Sequence, residues 1–115
     1  MRFTVQGQPV PKARPRLAPR GHTYTPHATR EAELRVQQYC FANYPHLRPS
    51  EGRIRLTVEF HLRGAVRSDL DNLWKLVSDA LNGIVWVDDR QIVSAAADVF
   101  TNATEPRTEI EAWAV

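Results

Sequence analysis

The sequence predicts a single α/β domain in which helices pack on a mixed, mostly antiparallel β-sheet. Three observations favour this fold class. The chain has 115 residues with 43% hydrophobic content, a size typical of one domain around one core. Its hydrophobic residues recur with a period of two in some segments and with helical spacing in others. Turn-forming residues separate these segments, and the predicted order is β-α-β-α-β-β over residues 1–115 as one domain.

The N-terminal half predicts a strand, a long loop and a helix. Residues 2–6 alternate between polar and apolar side chains, which indicates a short strand. Residues 7–26 contain five prolines, which lack an amide hydrogen and fix φ, so we expect an extended loop. Residues 28–44 contain good helix formers and end before Pro45, which predicts a helix. Its weak apolar face is expected to pack on one side only, through Ala32, Val36, Tyr39 and Cys40.

The C-terminal half predicts three strands and a second helix. Residues 53–62 alternate strictly between apolar and polar side chains, as a strand with one buried face does. Apolar residues between 70 and 81 fall at helical spacing, and Asn82-Gly83 supplies the turn that ends the helix. Residues 92–101 and 108–115 are predicted to pair as a closing antiparallel hairpin.

Charge is unevenly distributed along the chain, although the formal net charge is only +2. The first thirty residues contain no acid, and their basic side chains are Arg2, Lys12, Arg14, Arg16, Arg20 and Arg30. The aspartates lie in the second half, at Asp69, Asp71, Asp79, Asp88, Asp89 and Asp98. A basic N-terminal segment together with a cluster of aspartates is typical of a metal-dependent enzyme that acts on phosphates. Ordinary solvated charges remain an alternative, because charge alone does not separate the two.

Cysteine and histidine usage excludes some kinds of site. The single Cys40 cannot form an internal disulfide or a multi-cysteine zinc site. The histidines have no paired metal-ligand spacing, so we do not expect a zinc site from His22, His27, His46 and His61. No apolar run is long enough to cross a bilayer, and the N-terminus lacks the apolar core of a signal peptide. The expected location is the cytoplasm.

Aspartates at the start of the second predicted helix are candidate metal ligands. Asp69 and Asp71 stand where a loop meets the helix, and Lys75 lies four residues after Asp71 on the same helical face. Fixed carboxylate oxygens are the ligands that Mg²⁺ prefers. Asp88 or Asp89 could supply a third ligand if the apolar run 84–87 is extended and brings the chain back toward the helix start.

Each of these signals has a structural alternative. Acids in the first turn of a helix can cap it and favourably meet its dipole. The pair Asp88-Asp89 can form an exposed turn, and Lys75 can be a solvated helix residue. The joint pattern is more specific, because Trp74 and Trp86 flank the acids with apolar bulk. Several carboxylates gathered in one place also repel unless a cation is present.

These segments resemble a known family. Residues 67–75, read Arg-Ser-Asp-Leu-Asp-Asn-Leu-Trp-Lys, together with Asp79-Ala80-Leu81-Asn82-Gly83 and residues 86–89, closely resemble the core of the RusA family of Holliday-junction resolvases. The likeness covers about a quarter of the chain. The loop of residues 7–16 also resembles the N-terminal loop of phage and prophage members. It is richer in arginine and proline here than in the best-known members, which leaves the preferred cut-site sequence open.

The resemblance implies roles for the acidic residues and the lysine. It implies that Asp69, Asp71 and Asp89 bind Mg²⁺, which Mn²⁺ is expected to be able to replace, and that Lys75 is also required for cleavage. It further implies a homodimer that nicks opposite strands of a four-way DNA junction symmetrically. From the residues alone, either acid of the adjacent pair could touch the metal. Our hypothesis gives Asp88 the indirect role of orienting Asp89 or Lys75.

Basic side chains would hold the DNA backbone in this hypothesis, namely Lys12, Arg14, Arg16 and Arg67. Two alternatives remain open. One is a non-catalytic protein that binds branched DNA, in which the acids only cap a helix. The other is a magnesium-dependent nuclease of broader specificity that also cuts flaps or forks, because selectivity for a DNA structure depends on dimer geometry.

Overall fold

A four-stranded sheet with two helices on one face forms the core of the protein. The computed structural model describes residues 1–13, 16–18, 21, 23–24, 26–66 and 68–115. In chain order the elements are β1 (Arg2–Gln6), β2 (Arg16–Leu17), β3 (Thr23–Tyr24), α1 (His27–Asn43), β4 (Ile54–His61), α2 (Leu70–Leu81), β5 (Ile92–Phe100) and β6 (Arg107–Ala114). A short 3₁₀ helix, Asp89–Gln91, precedes β5.

The main sheet has the strand order β1-β6-β4-β5, and β2 and β3 pair separately as a two-stranded ribbon. β4 pairs in parallel with β5 and antiparallel with β6, while β1 pairs antiparallel with β6. The predicted fold class is therefore confirmed: the sheet is mixed and mostly antiparallel, and its main elements follow the order β-α-β-α-β-β. Within the predicted proline-rich loop, β2 and β3 are short strands that the sequence pattern did not indicate.

The predicted hairpin between β5 and β6 is wrong, because β4 lies between these two strands. α2 connects β4 to β5 as a crossover, which brings β5 back parallel to β4. Only the other edge of β4 is then left for β6. The six residues between β5 and β6 pass over the end of β4, where the amides of Asn102 and Ala103 donate to the carbonyls of Gly64 and Leu62 at 2.9 Å.

The core lies between the sheet and the helices. On β4, the buried side chains alternate with those of the outer face, as the sequence predicted, and Leu56, Val58 and Phe60 are almost fully buried. α1 buries the predicted stripe, with Tyr39 only partly covered and Thr29 added at its start. Trp86, just after α2, is the largest fully buried side chain among the described residues. Periodicity could not place Trp113, which lies on β6 and is 45% exposed.

Cys40 on α1 is fully buried, and burial raises the pKa of its thiol to about 11. Because burial disfavours the thiolate, we expect native protein at pH 8 to react with a disulfide reagent at least about 100-fold more slowly than unfolded protein. The thiol is deprotonated more readily in the unfolded chain, so its contribution to stability should fall as the pH rises above about 9. Thiol release measured with and without denaturant checks this, and rapid native labelling would contradict it.

Candidate active site

Asp69 and Asp71 lie at the first turn of α2 with exposed carboxylates. Asp69 is the N-cap residue, with φ −67° and ψ 137°, yet its side chain makes no capping hydrogen bond. Asp71 follows within the first turn, where the helix dipole favours negative charge. The side chain of Asp69 therefore does not cap the helix, and both carboxylates are accessible to a ligand.

Lys75 lies one helical turn after Asp71 and is largely exposed. Its Nζ is 4.0 Å from Oδ2 of Asp79, a distance at which an exposed ion pair contributes little. The ammonium group can therefore move toward a bound anion at low energetic cost. Asp71, Lys75 and the aromatic ring of Trp74 thus share the N-terminal part of α2.

An open apolar groove borders Asp71. It is lined by Leu70, Asp71 and Trp74 of α2 and by Ala95 and Ala97 of β5. Leu70 is 41% exposed. The carboxylate of Asp71 therefore stands at the rim of an apolar surface.

Asp88 is used locally, as the cap of the 3₁₀ helix. Its Oδ1 accepts from the amide of Arg90 at 2.9 Å, and its Oδ2 accepts from the Arg90 guanidinium at 3.0 Å. Gln91 completes a capping box, because its Oε1 accepts from the amide of Asp88 at 2.8 Å. The hydrogen bonds from Arg90 lower the pKa of Asp88. Asp88 thus contacts Arg90 and Gln91. Its carboxylate makes none of the contacts with Asp89 or Lys75 that its proposed orienting role would need.

Asp89 is held by a tryptophan. The indole Nε1 of Trp86 donates to Oδ1 of Asp89 at 2.7 Å, and the Trp86 side chain is fully buried. A rigid donor anchored in the core therefore fixes one carboxylate oxygen of Asp89. Of the two adjacent acids, Asp88 caps the 3₁₀ helix, whereas Asp89 is held by the buried Trp86.

The two acidic groups lie at opposite ends of the β4-α2-β5 crossover. Residues 83–85 form a tight turn, in which the amide of Gly83 donates to the carbonyl of Trp86 at 2.7 Å and that of Val85 to Leu81 at 3.0 Å. The chain then pairs with Ser50, which precedes β4, through a bridge at Trp86. The condition for Asp88 or Asp89 to reach the start of α2, an extended run over residues 84–87, is therefore not met. The twelve residues of α2 make a helix about 18 Å long.

The described residues contain one group of three or more potential metal ligands within 4.8 Å of one another, and Asp69, Asp71 and Asp89 do not form it. Asp69, Asp71 and Lys75 are brought together at the start of α2, and Asp88 and Asp89 form a second group beyond its other end.

Lys12 attaches the N-terminal loop to both helices. Its Nζ is 2.5 Å from Oε1 of Glu33 and 3.2 Å from Oδ2 of Asp79. Burial works to lower the pKa of Lys12, but the two carboxylates outweigh it and raise the pKa. Its backbone amide donates to the carbonyl of Asn72 at 2.8 Å. The predicted phosphate contact does not agree with this paired, mostly covered ammonium group.

The predicted arginine contacts fall where the structure says little about side chains. Arg14 and Arg67 lie outside the described residues, and Arg16 is described only through its backbone in β2. The contact between Lys12 and Asn72 nevertheless holds the residue two before Arg14 against the first turn of α2. The described end of this loop at Lys12 therefore lies beside the first turn of α2.

A comparison with protein-family profiles matches residues 6–112 to the family described as Endodeoxyribonuclease RusA. The chain belongs to the RusA family. The match spans almost all of the 115 residues, whereas the sequence resemblance rested on about a quarter of them. No curated protein matches the chain. The RusA-family assignment makes the chain an endodeoxyribonuclease by class.

The group of potential metal ligands that the structure does bring together was missed in the sequence of this RusA-family chain. It consists of Glu59, His61 and Glu109 on the sheet face away from the helices. A glutamate and a histidine two residues apart on a strand share one face, and this signal was present in the sequence. Spacing between histidines does not reveal it, because only one histidine takes part. In the described part of the chain, no helix is long and apolar enough to span a membrane.

Trp86→Phe tests how the RusA-family fold holds Asp89. The phenyl ring keeps most of the packing but removes the indole N–H, so we expect the free energy of unfolding to fall by about 1–3 kcal/mol. Nuclease activity should fall as well, because Asp89 loses its fixed donor. Denaturant unfolding followed by circular dichroism measures the first effect. Trp113→Phe, at a half-exposed site on β6, is the matched control, and equal losses in both variants would contradict a special role for Trp86.

Proposed function

We propose that this chain is a magnesium-dependent, structure-selective endodeoxyribonuclease that resolves Holliday junctions by paired symmetric nicks in DNA recombination and repair. The observation that carries the proposal is the family match over residues 6–112. The start of α2 supports it, because Asp69 lies at a helix cap without capping and Asp71 is exposed beside it. We also propose a cytoplasmic location, which suits a nuclease family that acts on DNA.

The donor set fits Mg²⁺. Asp69, Asp71 and Asp89 offer carboxylate oxygens, which are the ligands this hard ion prefers, and Mn²⁺ should be able to replace it. When bound, the ion would neutralise phosphate charge and lower the pKa of a water for attack on phosphorus. We propose these three aspartates as its ligands. Asp88 contributes indirectly, by capping the 3₁₀ helix that begins with Asp89.

The other residues of the site bind and orient the DNA. Lys75, exposed and weakly paired, is proposed to stabilise negative charge on the phosphate or on the leaving oxygen. Arg14, Arg16 and Arg67 are proposed to hold backbone phosphates on either side of the cut. Lys12 acts on the DNA only through the loop that it fixes to α1 and α2.

We further propose that each metal site is shared between two copies of the chain. Asp71 lies in the first turn of α2, which is about 18 Å long, whereas Asp89 precedes β5 at the end of the sheet where Ile92 pairs with Ile54. One copy of the chain therefore does not bring these carboxylates to one ion. A two-fold axis that brings the start of α2 of one copy to the 3₁₀ helix of the other would assemble two identical sites. The proposed homodimer then explains paired cutting, since each complete site includes both copies.

Exposed apolar side chains flank both acidic groups and support this arrangement. Leu70 lies between Asp69 and Asp71 and is 41% exposed, and Val87 precedes Asp88 and is 56% exposed. Contiguous exposed apolar surface marks interaction sites, and the groove of Leu70, Trp74, Ala95 and Ala97 provides such a surface. Val87 of one copy entering the groove beside Leu70 of the other would bring the carboxylates together. Light scattering tests the dimer, and a monomer at the concentrations used for cleavage would contradict it.

The experiment that tests the function compares matched four-way, flap, fork and linear DNA substrates with and without Mg²⁺. We expect paired nicks in the four-way junction, opposite each other across its two-fold axis, only when Mg²⁺ or Mn²⁺ is present. Junction binding without any nicked product would favour the non-catalytic alternative. Equal cleavage of flaps and forks would favour the nuclease of broader specificity.

A further inference from the structure

Three potential metal ligands converge on the outer face of the sheet, away from the helices. Nε2 of His61 lies 3.1 Å from Oε1 of Glu59 and 3.0 Å from Oε2 of Glu109. One ligand atom from each of these residues lies within 4.8 Å of those from the other two. Glu59 and His61 belong to β4 and Glu109 to β6, and the two strands are neighbours. An imidazole and two carboxylates therefore face one small volume.

The surrounding charge favours a cation there. Glu59 lies opposite Asp98 of β5 on one side and opposite Glu109 of β6 on the other. Carboxylates directly opposite each other on paired strands repel. The nearby Arg107 offsets part of this charge, with its Nε 3.1 Å from Oε2 of Glu109. Arg2 and its ion-pair partner Glu111 line the same pocket as Glu59 and Glu109. Four acids therefore face two arginines and one histidine, which leaves negative charge that a divalent ion would neutralise.

The imidazole of His61 is held in place for this role. Its side chain is 13% exposed. The ring stacks on Phe100 of β5, with ring centroids 4.8 Å apart and an interplanar angle of 12°. Packing therefore fixes the ring with Nε2 toward the two glutamates. A ligand oriented before binding loses little conformational entropy when the ion arrives.

We propose that Glu59, His61 and Glu109 bind a divalent first-row transition-metal ion, with Zn²⁺ as the type case. Zn²⁺ takes nitrogen and oxygen ligands at about 2.0–2.2 Å, so neighbouring ligands in a tetrahedral site lie about 3.3 Å apart. The observed Nε2–oxygen separations of 3.0 and 3.1 Å are close to this value, and all the ligand atoms of the group lie within 4.8 Å of one another. Mg²⁺ prefers a shell of oxygen ligands and retains its waters, so the imidazole selects against it.

The ion would link strands that are far apart in sequence. It joins the end of β4 to the start of β6 on the face opposite the helices. Binding to the folded chain alone stabilises it, so added Zn²⁺ should raise the unfolding temperature. The site is separate from the acids of α2 and of the 3₁₀ helix, and its existence does not depend on the proposed nuclease reaction.

The test is a titration of the full chain with Zn²⁺ in excess Mg²⁺, followed by nitrogen NMR of the histidine rings and by calorimetry. We expect the Nε2 resonance of His61 to shift and saturate with one ion, and the unfolding temperature to rise. Glu109→Gln and His61→Gln should each lose this response. Arg107→Met removes a competing cation beside Glu109, so it should tighten Zn²⁺ binding by about threefold or more.

Two controls separate this site from other metal binding. His27→Gln removes an exposed imidazole that pairs with one carboxylate, Glu31, at 2.9 Å, and it should leave the His61 shift unchanged. Asp71→Asn removes a proposed Mg²⁺ ligand and should also leave it unchanged. The proposal is overturned if Zn²⁺ leaves the His61 resonance unmoved, or if His61→Gln binds Zn²⁺ as tightly as the wild type. If His61 only forms hydrogen bonds with its glutamates, Zn²⁺ would leave its resonance unmoved.

Discussion

Replacing Asp71 with Asn should lower the rate of magnesium-dependent junction cleavage by about 10³-fold or more. The carboxylate is exposed at the first turn of α2. Asparagine keeps its size and most of its helix geometry but removes the charge that would hold the ion. A metal ion contributes several kcal/mol of transition-state stabilisation, and each 1.4 kcal/mol is about tenfold in rate.

Binding of the same variant to the junction should be unchanged or tighter, because a negative charge near the phosphates is lost. Single-turnover cleavage and a gel shift without Mg²⁺ measure the two effects separately. Glu105→Gln, an exposed acid in the loop between β5 and β6, is the matched control and should cut at the wild-type rate. Wild-type cleavage by Asp71→Asn would remove this residue from the proposed metal site. Loss of both binding and cleavage would point to a folding defect, which circular dichroism would reveal.

Much of the fold could be predicted from the sequence because its strongest signals are local. The alternation along β4 and the helical spacing along α2 each require only that one face be buried. The structure places these elements within one residue of the predicted bounds. Strand pairing is not local in this sense. The alternation of β5 and β6 looks the same whether they pair with each other or on opposite sides of β4, and the crossover through α2 decides between these arrangements.

The same difference between local and non-local signals applies to the candidate site. Asp69, Asp71 and Lys75 could be grouped from sequence because one helical turn brings them together. The position of Asp89 depends on the turn at residues 83–85, which apolar composition did not distinguish from an extended run. The hydrogen bond from Trp86 to Asp89 likewise follows from the same turn. The cluster around His61 needs β4 and β6 to be neighbours, so only the Glu59-His61 half of it was visible in the sequence.

Mixing two inactive variants should restore cleavage if the metal site is shared between copies. Asp71→Asn and Asp89→Asn are each expected to be inactive alone. In a mixed dimer, one site would then contain both substitutions and the other would contain neither. We expect the mixture, after unfolding and refolding together, to regain up to about a quarter of wild-type nicking, since roughly half of the dimers are mixed and each has one intact site.

The product of this mixture carries further information. A dimer with a single intact site should cut one strand of the junction and leave the opposite strand whole, so nicked junctions should accumulate rather than resolved duplexes. Mixing Asp69→Asn with Asp71→Asn is the control, because both residues belong to the same end of α2 and every site would keep one substitution. If Asp71 and Asp89 served one site within a single copy, each mixed dimer would likewise carry one substitution in each site, and no activity would return. Recovery in the first mixture but not in the second therefore requires that the helix start of one copy act with the 3₁₀ helix of the other.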